Sequence, residues 1–183
     1  MPTAAIVFSN GCEEIEGLTV VDIARRAGID VTMISVSGTK EVTSSHQVTF
    51  LTDATKNEVD YSEMDGIVLP GGMPGTLNLG ADETVIQVIR QFARERKLVA
   101  AICAAPSVLG QEHILDGKKA TCHPGFEDKL LGAEWVEQPV VVDDNIITSR
   151  GMGTAIPFGL AIVRYLLDEA AVEKVKQGLV YQE

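Results

Sequence analysis

The sequence predicts an open, mostly parallel α/β sheet with helices on both faces, built by a single domain over residues 1–183. Three observations predict it. The runs 4–8 and 98–102 are short and wholly apolar, the pattern of strands buried on both faces. The segment after the first run has helical spacing and is followed by a second strand, and such a β-α-β opening builds a parallel sheet. The length of 183 residues and the 45% apolar content suit one domain with a substantial core.

The elements follow in order. The first strand, 4–8, ends at Ser9-Asn10-Gly11. A helix is expected over 14–27, with Ile15, Leu18, Val21, Ala24 and Ala27 at helical spacing and Ile15 turned toward the core. Gly28 ends it. Residues 31–36 form the second strand. The stretch 41–51, rich in β-branched residues and Ser/Thr, is expected to form short strands near a sheet edge. The core strand 65–69 runs into Pro70-Gly71-Gly72-Met73-Pro74-Gly75, a loop whose backbone N–H groups can approach a ligand closely. Its spacing fits neither a Walker A loop nor G-x-G-x-x-G, so no nucleotide site is read there.

Asp82 caps a helix over 82–96, which carries Val85, Ile86, Ile89 and Phe92 on one face. The strand 98–102 comes next, and Pro106 suits the first turn of the helix after it. A strand at 118–121 leads to Cys122-His123-Pro124-Gly125, followed by one or two helical turns over 126–131. Strands at 135–136 and 140–142 precede a hairpin at 142–146. The last core strand, 146–149, leads into Arg150-Gly151-Met152-Gly153-Thr154. A long helix over 154–167 and a short one over 169–178 complete the chain.

A net charge of −11 argues against a nucleic-acid partner and against adsorption to anionic membrane. No apolar run approaches the ~20 residues that span a bilayer. The first residues lack the basic start and cleavage pattern of a signal peptide. The three cysteines show no C-x-x-C and no Cys/His pairing. A cytoplasmic protein without structural zinc is therefore expected, and no metal or cofactor motif is present.

In an open α/β sheet, sites form at the carboxyl ends of the strands. That edge should collect the glutamates after the first strand, Gly71 and Gly72, Cys103, His123, and Arg150-Gly151. Cys103 lies where a buried strand turns at once into a helix, an elbow that can present a nucleophile. A helix N-terminus lowers a thiol's pKa, so Cys103 is expected to be largely thiolate near neutral pH. Cys103, His123 and a carboxylate are the parts of an activated-thiol site. Glu13, Glu14 and Glu16 are all candidates for the carboxylate, although acidic residues at a helix start also simply complement its dipole. A carboxyl group leaning over the strand ends would have a raised pKa and could shuttle a proton.

Four motifs carry a resemblance. They are Glu13-Glu14-Ile15-Glu16-Gly17, Val68-Leu69-Pro70-Gly71-Gly72, Ala100-Ala101-Ile102-Cys103-Ala104-Ala105-Pro106, and Thr148-Ser149-Arg150-Gly151-Met152-Gly153-Thr154. In this order they resemble the ThiJ/PfpI superfamily, and within it the Parkinsonism-associated protein deglycase branch. The resemblance implies a flavodoxin-like fold of the class I glutamine amidotransferase-like kind. It implies Cys103 as the oxidisable nucleophile, Glu16 as the carboxyl bonded to its sulfur, and His123 as the nearby histidine. An anion hole would be formed by backbone N–H groups of Gly72 and Ala104, with Gly71 beside them. Arg25 or Arg26 would support the site or a homodimer contact made partly through the first helix, and Arg150 is a further supporting residue.

Two relatives do not fit. Class I glutamine amidotransferases need a glutamate where Gly125 stands, and PfpI-type proteases need a histidine where Ala104 stands. Cys12 occupies a place where a small uncharged residue is expected, which leaves open a second redox thiol or a dimer cross-link.

The function implied is a cofactor-independent enzyme acting on a small α-oxoaldehyde or on a glycated protein. Its alternative is a redox sensor whose cysteine oxidises to sulfinate without turnover. A holdase would need a large exposed apolar patch, which the sequence does not display.

Overall fold

The computed structural model describes residues 1–182. In chain order the elements are β1 (Thr3–Phe8), α1 (Glu14–Ala27), β2 (Asp30–Ser35), β3 (Glu41–Thr43), β4 (Thr49–Leu51), β5 (Ala54–Thr55), β6 (Gly66–Leu69), α2 (Gly75–Ala81), α3 (Glu83–Glu95) and β7 (Leu98–Ile102). They continue with α4 (Pro106–Gln111), β8 (Lys119–Ala120), β9 (Glu134–Trp135), β10 (Val140–Asp143), β11 (Ile146–Ser149), α5 (Ala155–Leu166) and α6 (Glu169–Leu179).

Seven strands form the central sheet in the order β10-β11-β7-β6-β1-β2-β5. All neighbours are parallel except β10 and β11. The flavodoxin-like expectation is met. From β1 the chain moves to β2 on one side, and from β6 onward it builds outward on the other. The boundary between β1 and β6 is therefore the topological switch point, where such sheets open a crevice at the carboxyl ends of their strands.

The apolar runs are buried on both faces because helices cover both. Along β7, Leu98, Ala100 and Ile102 enter the core beneath α1, α5 and α6, while Val99 and Ala101 enter the core beneath α3 and α4. β1 alternates in the same way, with Ala4, Ile6 and Phe8 on one side and Ala5 and Val7 on the other. This is the period-two geometry of a strand. Asp82 caps α3 as expected, its Oδ1 accepting from the N–H groups of Thr84 and Val85 at 3.0 and 3.1 Å.

Three expectations need correction. Ile15 does not face the core: it is 46% exposed, whereas Glu16 is 1% exposed. The buried face of α1 runs through Glu16, Gly17, Val20, Val21, Ile23 and Ala24. The stretch 41–51 does form short strands, β3 and β4, which pair with each other and lead into the edge strand β5. β8 pairs with β9 in a third, two-stranded sheet, so His123 does not follow a central strand. Finally, the glycine-rich loop passes directly into α2, a helix not anticipated among Gly75 and Gly80.

Among the described residues, no helix is long and apolar enough to cross a membrane.

Candidate active site

The site lies at the carboxyl ends of β1, β6, β7 and β11. Cys103 follows β7 on a left-handed bend with φ of 67°. That conformation costs a non-glycine residue about 1–2 kcal/mol. Two main-chain bonds hold it: the Cys103 N–H donates to the Ser149 carbonyl at 2.9 Å, and the Cys103 carbonyl accepts from the His123 N–H at 2.8 Å. The second bond is what brings His123 to the site from outside the central sheet.

Glu16 sits in the first turn of α1, buried over the switch point. Its Oε2 accepts the Gly71 N–H at 2.9 Å, and its carboxyl hydrogen-bonds the Cys103 thiol. Gly71 is wedged between the two: a Cβ there would stand 2.6 Å from Cys103 Cβ and 2.7 Å from Glu16 Oε2. The other two glutamates turn away. Glu13 caps α1, accepting from Ile15 N–H at 3.4 Å. Glu13 and Glu14 both meet His46, with their Oε2 atoms 3.4 and 3.2 Å from its Nδ1. The choice that the residue types left open is thus decided by position.

Burial raises the Glu16 carboxyl to about 7, against the pull of its bonds from Cys103 and Gly71. Burial also pushes the Cys103 thiol up to about 12, and the neighbouring Glu16 carboxylate adds to the rise. The N–H groups of Ala104 and Gly72 face the sulfur and act in the opposite direction. This corrects the expectation of a resting thiolate. α4 starts only at Pro106 and is 6 residues long, so its dipole does little at Cys103, while a buried carboxylate lies against the sulfur. The resting pair is a thiol beside a carboxyl that ionises near neutral pH, and it holds a proton that can pass between them.

His123 is exposed. Its Nδ1 lies 2.9 Å from the Pro124 carbonyl. A carbonyl only accepts, so Nδ1 is the donor in this contact and Nε2 is the ring nitrogen left without a partner in it. Nothing in the residue types signalled this role for Pro124.

Of the three residues expected at an anion hole, two turn their N–H groups to the sulfur. Gly72 and Ala104 offer their N–H groups to the sulfur, but Gly71 spends its N–H on Glu16. Gly71 therefore positions the carboxyl and has no N–H left for the sulfur.

The arginines are also reassigned. Arg25 donates to the Val31 carbonyl and to Asp53 at 3.1 and 2.7 Å, and Arg26 to Asp22 at 2.6 Å. Both lie in the last turn of α1, about 14–15 Å along the helix from Glu16, so neither supports the site. Arg25→Ala should leave kcat/KM for any substrate within about twofold and cost no more than about 1 kcal/mol in urea unfolding. Arg150 binds Glu137 at 3.0 Å, and its N–H donates to the Pro139 carbonyl at 3.3 Å. It braces the turn after β11.

Cys12 is 1% exposed, and its backbone bonds join Ser9 and Ser45. Burial, together with Glu14, Glu13 and Glu16, raises its thiol to about 12. A dimer cross-link through a thiol so enclosed is ruled out in this conformation. Cys122 is fully buried in the core beneath α3 and α4.

The sequence profile of the DJ-1/PfpI family matches residues 2–165. The chain belongs to the DJ-1/PfpI family. Within the family it is similar to "Protein dj-1beta" of Drosophila melanogaster, at 37% identity over 97% of this chain and 96% of that protein. It is 33% identical, over 84% of its own length and 82% of the other's, to a Caenorhabditis elegans protein named "Glutathione-independent glyoxalase DJR-1.2". The solved structure "Toxoplasma gondii DJ-1, oxidized" superposes on it with a TM-score of 0.96 and 32% identity, covering 100% of both chains. These DJ-1 relatives place the chain in the DJ-1 branch that its motifs resembled.

Proposed function

We propose that this DJ-1 family protein is a cofactor-independent, cysteine-dependent enzyme acting on reactive α-oxoaldehydes, a glutathione-independent glyoxalase. Deglycation of aldehyde-modified amines or thiols is the same chemistry on a larger substrate. One observation carries the reading: the buried Glu16 carboxyl, ionising near 7, is hydrogen-bonded to the Cys103 thiol. A general base poised near the operating pH, in contact with a nucleophile, is the requirement for activating it. The name of the Caenorhabditis elegans relative supports the substrate class.

In this mechanism Glu16 takes the thiol proton as Cys103 Sγ attacks the aldehyde carbon, forming a hemithioacetal. The N–H groups of Gly72 and Ala104 steady the developing negative charge. The proton on the former aldehyde carbon then moves to the neighbouring ketone carbon through an enediol, with Glu16 and the free Nε2 of His123 as carriers. The resulting thioester of a 2-hydroxy acid is hydrolysed by water, which returns the thiol. The aldehyde carbon is oxidised and the ketone carbon reduced, so no external oxidant or reductant is needed. Methylglyoxal gives lactate and glyoxal gives glycolate. The same reading takes the protein as a cytoplasmic homodimer packed partly through α1, where Ile15 is exposed.

The test is lactate formation from methylglyoxal without glutathione. Wild type should form lactate and Cys103→Ser should fall to the uncatalysed background. If wild type forms none while peroxide adds two oxygens to Cys103, the protein is a redox sensor and the enzymatic reading fails.

A further inference from the structure

Most glycines near the site are required by packing. A Cβ at Gly72 would stand 2.3 Å from the Glu13 nitrogen, and one at Gly75 would stand 2.7 Å from the Cys12 backbone. Gly151 is different. Its φ of 165° is extended backbone open to any residue. A Cβ there would meet only His123 Cδ2 at 3.6 Å and Glu16 Oε1 at 3.9 Å, both ordinary contacts. Neither backbone conformation nor packing within the protein calls for a glycine at 151. What the absent side chain leaves is room bounded by the two groups proposed to carry protons.

That room has a fixed wall. The Gly151 N–H donates to Thr154 Oγ1 at 3.1 Å, and Thr154 Oγ1 also lies 2.9 Å from the Gly151 carbonyl and 2.7 Å from Ser149 Oγ. Ser149 in turn donates to the Pro139 carbonyl at 2.8 Å. The two hydroxyl protons can serve only two of the three hydroxyl contacts at once, and the Thr154 N–H adds a main-chain bond to the Gly151 carbonyl at 2.8 Å, so Gly151 is restrained against whatever enters.

We infer that Gly151 determines specificity by setting the size of the group admitted beside Glu16 and His123. This rests on the α-oxoaldehyde reading. Once Cys103 holds the aldehyde carbon, the ketone carbon must face Glu16 and His123 to exchange a proton, so its substituent falls against Gly151. The substrate class is then an α-oxoaldehyde bearing a group on the second carbon, and a residue larger than glycine restricts the enzyme to glyoxal, which bears only hydrogen there.

The experiment compares wild type, Gly151→Ala and Gly151→Val on glyoxal, methylglyoxal and phenylglyoxal, after confirming unchanged thermal midpoints. In Gly151→Ala the ratio of kcat/KM for methylglyoxal to that for glyoxal should fall about tenfold or more, the usual worth of one misplaced methyl group. Phenylglyoxal should fall further, and Gly151→Val further still. A second readout does not depend on turnover: alkylation of Cys103 by bulky N-cyclohexylmaleimide should slow relative to iodoacetamide in the same order. Unchanged ratios in folded variants overturn the inference. If wild type turns over none of the three aldehydes, the enzymatic reading is lost. The alkylation ratios then decide the role of Gly151 alone, an unchanged ratio overturning it and a graded fall upholding it.

Discussion

Glu16→Gln should lower lactate formation from methylglyoxal by about 10²- to 10⁴-fold, the range general-base catalysis supplies, in a protein that still folds. Glutamine keeps the shape of the side chain and can still accept the Gly71 N–H that Glu16 accepts at 2.9 Å. It cannot take a proton from the Cys103 thiol. Because the Glu16 carboxyl titrates at about 7, wild-type kcat/KM should rise with pH through that value, and the residual activity of the variant should lose this step.

The same substitution has a stability signature of definite sign. The folded carboxyl is raised from 4.5 to about 7, so between those values the folded state binds more protons than the unfolded one, and stability falls as pH rises. The penalty is absent well below 4.5 and complete above 7. A rise of this size is worth about 3 kcal/mol at ~1.4 kcal/mol per unit. Glu16→Gln should therefore gain about 2–3 kcal/mol on wild type between pH 5 and pH 8 in urea unfolding. Undiminished lactate formation by the variant would remove Glu16 from the chemistry, whatever the unfolding curves show.

Gly72→Ala should be the most damaging single-methyl change near the site, costing about 3–5 kcal/mol from the left-handed conformation and the steric overlap together. At Gly72 φ is 89°, and the added Cβ would stand 2.3 Å from the Glu13 nitrogen and 2.5 Å from the Cys12 carbonyl carbon. These are backbone atoms of the turn that starts α1 and cannot rotate aside. The loop would have to shift, carrying the Gly72 N–H away from the Cys103 sulfur, so activity should fall with stability. Gly28→Ala separates the two contributions. Gly28 has a φ of 87° but nothing within 4 Å of its added Cβ, so it should lose only about 1–2 kcal/mol. Equal losses at the two positions in urea unfolding would show that the overlap at Gly72 is relieved.

Much of this architecture is legible in local sequence, because local physics sets it. Residues 4–8 of β1 and the whole of β7 are apolar without interruption since helices cover both faces, and Asp82 announces α3 because its side chain can satisfy the first orphan N–H groups. Glu16 was within reach of the same reasoning. It lies four residues before Val20 and eight before Ala24, on the buried stripe of α1, but an apolar Ile15 invites the wrong face. What local pattern could not give depends on distant pairing. That β8 joins β9, and that His123 reaches Cys103 through a main-chain bond, are facts about segments many residues apart. The thiol's raised pKa is hidden from local sequence for a related reason: the helix after it is visible there, whereas the carboxylate against it arrives from a distant segment, the start of α1.

The bond from the Gly71 N–H to Glu16 spans 55 positions in the chain, and the bonds fixing Cys103 reach Ser149 and His123. Contacts of such sequence separation form late, after loop closure has been met at an entropic cost. The reactive pair thus comes into being only when β1, β6, β7 and β11 have all docked. A chain still emerging or partly folded carries three ordinary cysteines and a solvated Glu16, and the pairing of Glu16 with Cys103 is itself a mark of completed folding.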